Sequence, residues 1–174
     1  MAEKVKLRDY QKSILDRLDI VRSDATSVVE SYLGVQIGGN NVLVNLLDVS
    51  ETLVVTEIQP VPLVKPWFLG ISNVRGVLYA INDLNQLLNK QFTNMSSDTR
   101  ILLVNNSIFS NVGILVDRLV GLRHIDVFTM KENEKEESVC FKPEVYEDSE
   151  KKPWRIMDFE KLVSSREFEI PYVT

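Results

Sequence analysis

The sequence is poor in the residues that most often carry out chemistry or bind metals. Its 174 residues include one cysteine, Cys140, and one histidine, His124. A single cysteine cannot form a disulfide within the chain, which fits a reducing cytoplasm, and zinc needs several cysteine or histidine ligands. No serine or cysteine has a base beside it in the sequence, and no GxGxxG or Walker motif occurs. We therefore expect no metal, no cofactor and no enzymatic activity.

Long apolar runs and clustered basic residues are also absent. No run approaches the roughly 20 apolar residues that span a membrane, and residues 1–9 lack the apolar core of a signal peptide. The 20 Lys and Arg residues are outnumbered by 25 Asp and Glu, and they form no basic stripe, which argues against nucleic acid as a partner. We expect a cytoplasmic protein that does not insert directly into a membrane.

The sequence does contain short apolar runs separated by turn residues. Gly38-Gly39 between two such runs predicts a β-hairpin, and the polar turn before Val112 predicts a second one. Further strands are predicted for residues 53–58, 119–127, 139–146 and 154–157. The charged run at residues 131–138 predicts a solvated loop. This pattern predicts a mainly β domain over residues 29–170.

Residues 1–28 differ from the rest and form a predicted helical extension. Within them, residues 4–22 carry apolar side chains at helical spacing, at Leu7, Tyr10, Ile14, Leu18 and Val21. The opposite face carries Arg8, Gln11, Arg17 and Arg22. We expect an amphipathic helix that lies against the body of the protein, with a dedicated partner helix as the alternative.

Residues 66–89 contain two apolar runs that meet at Arg75-Gly76. No charge interrupts residues 77–81, so this strand is expected to be covered on both faces, and Gly76 marks a bend or a close backbone approach. Arg75 places a full charge at the margin of a core, where it needs a carboxylate, carbonyl groups or a partner protein. At the end of the stretch, Asp83 and Gln86 predict a reciprocal capping box at a helix start.

A weak internal repeat links the middle of the chain to its end. Five positions from Ile81 to Leu88 align at one offset with five positions from Ile156 to Val163, including Asp83 with Asp158. Each copy follows a predicted hairpin whose second strand ends in aspartate, at Asp48 and Asp117. Two similar halves made mostly of strands predict two small barrels rather than one long sandwich. The shared context of Asp83 and Asp158 predicts helix caps and not an acid–base pair.

Two segments resemble motifs of the CheW-like domain family. Residues 70–84 fit the pattern G-x-x-N-x-R-G followed by six residues and D-L, with Gly70, Asn73, Arg75, Gly76 and Asp83 at its fixed positions. Residues 112–117 resemble the second motif, a V-G pair and two apolar residues before V-D, with Gly113 and Asp117 at fixed positions. The resemblance covers about residues 30–165. It implies two intertwined five-stranded SH3-like barrels with a shared core and short helices.

The family resemblance also implies a function. Family members are adaptors without a catalytic site that bridge the cytoplasmic tip of a methyl-accepting chemoreceptor to the regulatory domain of a CheA-type histidine kinase, and they are recruited to arrays at the inner membrane through these partners. The receptor groove lies between the two barrels, and its matching positions here are Val49, Glu51 and Arg75. The Arg75-Gly76 turn is accordingly expected at the seam between the barrels. Gly70 and Gly113 are expected to permit backbone approach, and the kinase contact is expected on exposed apolar residues at the barrel ends.

Some alternatives remain open at the level of sequence. Lys65-Pro66-Trp67 and the N-terminal extension resemble coupling proteins of type IV pilus (twitching) systems more than the flagellar type, which stays the alternative. A small-barrel ligand-binding protein is a third possibility. Arg75 and Glu51 could also pair with each other, or with Asp83, inside the fold. The family's glycine turn before the last strand is replaced here by residues 150–154, so the resemblance does not extend to that turn.

Overall fold

The computed structural model describes residues 30–131 and 138–172. The predicted helix at residues 4–22 and most of the charged segment at residues 131–138 lie outside the described residues. Within the described ranges, no helix is long and apolar enough to cross a membrane. The described chain is mainly β and forms two sheets, as the sequence predicts.

The first sheet contains strands from the beginning and from the end of the described chain. Its strands are β1 (Ser31–Ile37), β2 (Asn40–Asn45), β8 (Arg118–His124), β9 (Thr129–Lys131), β10 (Phe141–Glu147) and β11 (Pro153–Met157), in the order β8-β1-β2-β11-β10-β9. All neighbours are antiparallel except β11 and β2, which pair in parallel. A 3-10 turn, Ile125–Val127, separates β8 from β9. When β8 and β9 are counted as one bent strand, the sheet has the five strands that were predicted.

The second sheet is built from the middle of the chain. Its strands are β3 (Val49–Val54), β4 (Phe68–Val74), β5 (Val77–Asp83), β6 (Arg100–Val104) and β7 (Val112–Val116), in the order β3-β6-β7-β5-β4. Here β5 and β7 form the parallel pair, with Ile81 opposite Gly113. An isolated bridge between Gln59 and Ile71 brings the segment after β3 back to β4. The second sheet is thereby closed on itself.

The internal repeat is present in the topology, with an exchange of hairpins between the two copies. The hairpin β1–β2 corresponds to β6–β7, while β3, β4 and β5 correspond to β8, β10 and β11. Each hairpin joins the strands of the other copy, because β1–β2 lies between β8 and β11 and β6–β7 lies between β3 and β5. Neither copy therefore contains all the strands of one sheet.

Both faces of each sheet bury apolar side chains. One face of each sheet packs into a central core shared by both sheets and the helices, made of Leu33, Val35, Ile37, Val42, Val44, Trp67, Leu84, Leu87, Leu102, Val104, Val112, Ile114, Val116, Cys140, Phe141, Met157, Phe159, Leu162 and Phe168. The opposite face of the first sheet encloses Tyr32, Leu43, Trp154 and Ile156. The opposite face of the second sheet encloses Ile81, Ile101, Leu103 and Leu115. Because successive side chains of a strand point to opposite faces, each sheet buries one set of apolar side chains in the central core and another set on its opposite face.

Three short helices complete the central core. They are α1 (Leu84–Asn89), α2 (Phe159–Val163) and α3 (Arg166–Glu169). The Asp83 carboxylate accepts a hydrogen bond from the Gln86 amide at 3.2 Å, and Asp158 accepts one from the Lys161 amide at 2.9 Å. The prediction that the Gln86 side chain accepts a hydrogen bond from the Asp83 amide is wrong. The Asp83 amide donates to the Trp67 carbonyl, and the buried Gln86 Oε1 has no hydrogen-bond partner.

Several predicted strand limits also need correction. The third strand was expected at residues 53–58, but β3 begins at Val49 and ends at Val54. The strand expected at residues 119–127 ends at His124 and continues as the 3-10 turn. The prediction that residues 77–81 are covered on both faces is wrong at the start of β5, where Val77 is 44% and Leu78 is 58% exposed. The apolar run extends past the end of the buried part of the sheet.

Gly70 lies where the backbone of β4 approaches the segment that closes the second sheet. Its φ is +143°, and a Cβ atom built on it would overlap the Gln59 carbonyl oxygen. Gly76 also has a positive φ, of +88°, but a Cβ there would meet no atom within 4 Å. These two glycines share a backbone constraint and differ in steric crowding.

We predict that Gly70→Ala destabilises the protein more than Gly76→Ala does. A left-handed backbone costs an alanine about 1–2 kcal/mol, which is the expected effect of Gly76→Ala. Gly70→Ala should lose a further ~1–3 kcal/mol because the new methyl group crowds a backbone that cannot move freely. Urea unfolding of the two variants measures the difference. Equal losses would show that the Gln59 approach does not constrain the sheet.

Cys140 is a core residue with an inaccessible thiol. It is 0% exposed, and burial raises the pKa of the thiol from 9.0 to about 12, against smaller opposing effects of the Ser138 hydrogen bond and of Arg155 and Lys161. Burial likewise raises the pKa of the Tyr32 hydroxyl, which donates to Glu30. Above pH 9.0 the unfolded chain therefore releases protons that the folded protein keeps.

We predict that stability is fully retained below pH 9.0 and falls as the pH rises toward 12. One thiol proton contributes about 1.4 kcal/mol per pH unit in this window. The free energy of unfolding should therefore be lower at about pH 11 than at about pH 9, and it should fall less in Cys140→Ala, where only the tyrosine effect remains. An identical pH dependence of the two proteins would contradict the assignment to Cys140.

Candidate partner-binding site

Arg75 and Gly76 form the two-residue turn between β4 and β5. Val74 pairs with Val77 across the turn, and both turn residues have positive φ, of 52° at Arg75 and 88° at Gly76. The Asn73 side chain accepts a hydrogen bond from the Gly76 amide at 2.8 Å, which fixes the turn. Because a Cβ at Gly76 would meet nothing within 4 Å, Gly76 serves the bend and not a close approach.

The guanidinium of Arg75 is held by Glu51 on β3. Its NH1 group donates to Glu51 Oε2 at 3.0 Å and its NH2 group donates to Oε1 at 2.7 Å. This bidentate arrangement sets the orientation of both side chains. The Arg75 side chain is 76% exposed and that of Glu51 is 34% exposed, so the pair lies at the surface and not inside the fold.

Val49 completes the set of predicted partner-binding residues. It begins β3 opposite Val104 and packs against the central core, and a β-bulge separates it from Glu51, which lies opposite Leu103. The structure therefore brings Val49, Glu51 and Arg75 together along the edge strand of the second sheet. A half-buried apolar side chain lies at one end of this strip and an exposed ion pair lies at the other.

The expectation that the Arg75-Gly76 turn lies at the seam between the two barrels is wrong. Both strands that meet at the turn, and the strand that carries Glu51, belong to the second sheet. The central core lies at the opposite end of β5, where Leu84 follows Asp83. An apolar run followed by a helix cap shows the direction of a strand but not which of its ends adjoins the other sheet.

The remaining motif residues have structural positions. Asp83 is 1% exposed and accepts hydrogen bonds from the amide and hydroxyl of Thr93, so it does not pair with Arg75. Asp117 accepts a hydrogen bond from the Gly39 amide at 2.9 Å and so links β8 to the β1–β2 turn. The expectation that Gly113 permits a backbone approach is wrong, because a Cβ there would lie 2.8 Å from Ile81 Cδ1, and the glycine instead admits side chains of the enclosed cluster. Asp158 caps α2.

Exposed apolar residues flank the strip, and the sequence interpretation missed them. Val77 and Leu78 follow the Arg75-Gly76 turn directly, and Leu46 and Leu47 precede Val49 with exposures of 37% and 79%. An uninterrupted apolar run suggests burial, and no local signal distinguishes its exposed end from its buried end. The strip therefore combines charge with accessible apolar surface, as protein contacts do.

Metal-binding side chains do not cluster in the part of the chain that the structure describes. Among residues 30–131 and 138–172, no group of three or more His, Cys, Asp and Glu side chains is placed to hold a metal ion. His124 lies at the exposed end of β8, with its Nδ1 atom 3.4 Å from the Ser31 hydroxyl oxygen. The strip on the second sheet stays the predicted site of partner contact.

We predict that the Arg75–Glu51 pair contributes little to folding. Exposed ion pairs are typically worth about 0.2–1 kcal/mol, because water and salt screen them. Arg75→Ala and Glu51→Ala should each stay folded, and their coupling in a double-mutant cycle should be about 0.5 kcal/mol and decrease with salt. Chemical unfolding of the two single variants and the double variant measures this coupling. A coupling of several kcal/mol would instead assign the pair to the stability of the fold.

Comparisons with known proteins agree with this architecture. The family model of the CheW-like domain matches residues 31–167. Protein PilI of Pseudomonas aeruginosa is 32% identical over 103 residues, which is 59% of this chain and 57% of PilI, so the match spans little more than half of that relative. The crystal structure of the scaffolding protein TtCheW from Thermoanaerobacter tengcongensis matches with a TM-score of 0.69 at 18% identity, over 84% of this chain and 100% of that one.

The structural likeness to TtCheW, at its low sequence identity, supports the fold alone. The family model, by contrast, matches well over half of the chain and includes strands of both sheets. The chain belongs to the CheW-like domain family.

Proposed function

We propose that the protein is a non-enzymatic adaptor that couples a methyl-accepting chemoreceptor to a CheA-type histidine kinase. The observation that carries this proposal is the extent of the CheW-like match, which runs from residue 31 to residue 167 and so includes both sheets. An adaptor of this type acts in the cytoplasm and reaches a membrane-bound array through its partners.

The receptor contact is assigned to the strip of Val49, Glu51 and Arg75. The ion pair fixes the Arg75 guanidinium at the surface while leaving most of it accessible, so some of its donors can reach an acidic or polar group of a partner. Val49 offers a partly buried apolar contact beside it. A contact of this size and polarity suits a transient signalling interface.

The kinase contact requires exposed apolar residues at a barrel end. Val77 and Leu78 supply such residues directly after the Arg75-Gly76 turn, at the outer end of the second sheet. They are held by the pairing of β4 with β5, in which Leu78 lies opposite Asn73. A regulatory domain of the CheW-like type would present a similar sheet to this end.

We further propose that the adaptor serves a system that controls type IV pilus twitching motility. The similarity to PilI supports this assignment, and so does the resemblance of the Lys65-Pro66-Trp67 segment to pilus-type coupling proteins. Coupling in a flagellar chemotaxis system is the alternative. A host strain in which the gene is deleted should lose twitching and keep swimming, and the reverse result would favour the flagellar system.

We predict that Arg75→Ala weakens binding to the receptor tip at least about tenfold, because a charge-assisted contact is typically worth more than 1.4 kcal/mol. Pull-down of the full chain with a receptor cytoplasmic fragment measures the binding. Lys131→Ala is a matched control, because Lys131 forms a comparable surface ion pair of 2.6 Å with Glu147 on the first sheet. This variant should bind the receptor fragment as the unmodified protein does.

Two outcomes would contradict different parts of the proposal. Unchanged receptor binding by folded Arg75→Ala would show that the strip is not the receptor contact, while the adaptor function would stand. If the unmodified protein bound neither a receptor fragment nor a CheA-type kinase from the same host, the adaptor function itself would be wrong. Tight binding of a small molecule in that case would favour a ligand-binding barrel.

A further inference from the structure

Residues 166–172, which we call the strap, pack against the segment that leads into β4. Phe168 of α3 is 7% exposed and stacks on Trp67, with ring centroids 5.1 Å apart and an interplanar angle of 14°. Beyond α3, the Pro171 carbonyl accepts a hydrogen bond from the Lys65 amide at 2.6 Å. The strap thus holds a buried aromatic anchor and an extended end against the domain, in the way that a bound peptide is held.

Three features make the strap an attachment to the domain and not part of its frame. The CheW-like family model matches the chain up to residue 167, so Phe168 and the residues after it lie beyond the match. The helix α3 has four residues, and a helix of this length has little stability of its own. Tyr172 forms an isolated bridge with Val64 and belongs to neither sheet. The strap can therefore detach without breaking the pairing of any strand.

The strap fills only part of a longer groove. Two cavities, of about 290 and about 730 Å³, adjoin the strap at Glu167, and they share Leu87 and Lys90 in their walls. The smaller cavity also contains Trp67, and the larger one is lined by further apolar side chains such as Val139. A segment longer than the strap would therefore find additional surface to contact in this groove.

The walls of the groove are basic, although the protein is acidic. Lys65, Lys90 and Arg155 line the two cavities, and Glu167 of the strap is the one acidic residue among the described residues that line them. The whole chain has a net charge of −5. The strap carries a glutamate on each side of its aromatic anchor and one arginine. Charge complementarity therefore favours an acidic occupant in this groove.

We propose that the groove under the strap is a peptide-binding site, which accepts an acidic segment with an aromatic anchor from a partner protein when the strap detaches. The strap shows the chemistry that the groove binds. A longer partner segment gains contacts in the two open cavities, which offset the high effective concentration of the tethered strap. Trp67 lies directly before β4 and Arg75 lies directly after it, so this contact is separate from the proposed receptor contact and does not depend on it.

Fluorescence polarisation of a labelled peptide with the sequence of residues 164–172, capped at both ends, tests this site in the full chain. The unmodified protein should bind the peptide weakly, because its own strap occupies the groove. Phe168→Ala should bind it about tenfold or more tightly, because the strap has lost the anchor that keeps the groove occupied. In the Phe168→Ala protein, a further Lys65→Glu change should weaken binding, most strongly at low salt, because it reverses one charge of the groove.

A second variant opens the strap without changing a buried side chain. Glu167 is exposed, so Glu167→Lys should stay folded, and it should also bind the peptide more tightly than the unmodified protein does. Phe92→Ala is the matched control, because Phe92 is 60% exposed in another loop and its loss should leave peptide binding unchanged. A peptide with alanine in place of its phenylalanine should not bind Phe168→Ala. Thermal unfolding verifies that each variant remains folded.

The proposal is overturned if neither Phe168→Ala nor Glu167→Lys binds the peptide more tightly than the unmodified protein does. It is also overturned if the peptide without phenylalanine binds as well as the original one. A dimer of the unmodified protein that dissociates in Phe168→Ala would identify a second copy as the occupant and would overturn the assignment to a partner protein.

Discussion

The structure depends on the pairing of each hairpin with strands of the other half of the repeat. The parallel contacts of β2 with β11 and of β7 with β5 join residues that are far apart in the chain, such as Leu43 with Ile156. The central core then takes side chains from both sheets and from the short helices. Neither half can close its sheet or bury its apolar face alone, so the two sheets should fold and unfold as one cooperative unit.

This construction gives the surface strip its rigidity. β3 is an edge strand, yet it is held by β6, by the core contact of Val49 and by the closure of the sheet through Gln59 and Ile71. The Arg75 turn is fixed independently by Asn73 and by Glu51. A preformed surface loses little entropy when a partner binds.

The sequence predicts features that depend on neighbouring residues and fails on those set by distant ones. The Asp83 and Asp158 caps and the Gly38-Gly39 hairpin follow from local hydrogen bonding and φ preferences, so their positions were recognisable. The exchange of hairpins could not be recognised, because the pairing of distant strands leaves no local pattern in the sequence. The same limit explains why Val77 and Leu78 were wrongly expected to be buried. It also explains why the Arg75-Gly76 turn was wrongly expected between the two barrels. In the candidate site, Glu51 and Arg75 were chosen from the family motif, while their mutual pairing was one of two options until the strand register was known.

The two halves of the repeat carry different side chains at corresponding turns. The β4–β5 turn is fixed by one asparagine and displays Arg75 with Val77 and Leu78 behind it. In the corresponding β10–β11 turn, Asp148 accepts hydrogen bonds from the amides of Glu150 and Lys152 and from the Trp154 indole. That turn, residues 148–152, carries charged residues of both signs and no aliphatic residue. Surfaces of different chemistry favour different partners. The two halves share one arrangement of strands and differ at these turns. The turns are therefore where binding specificity is expected to arise.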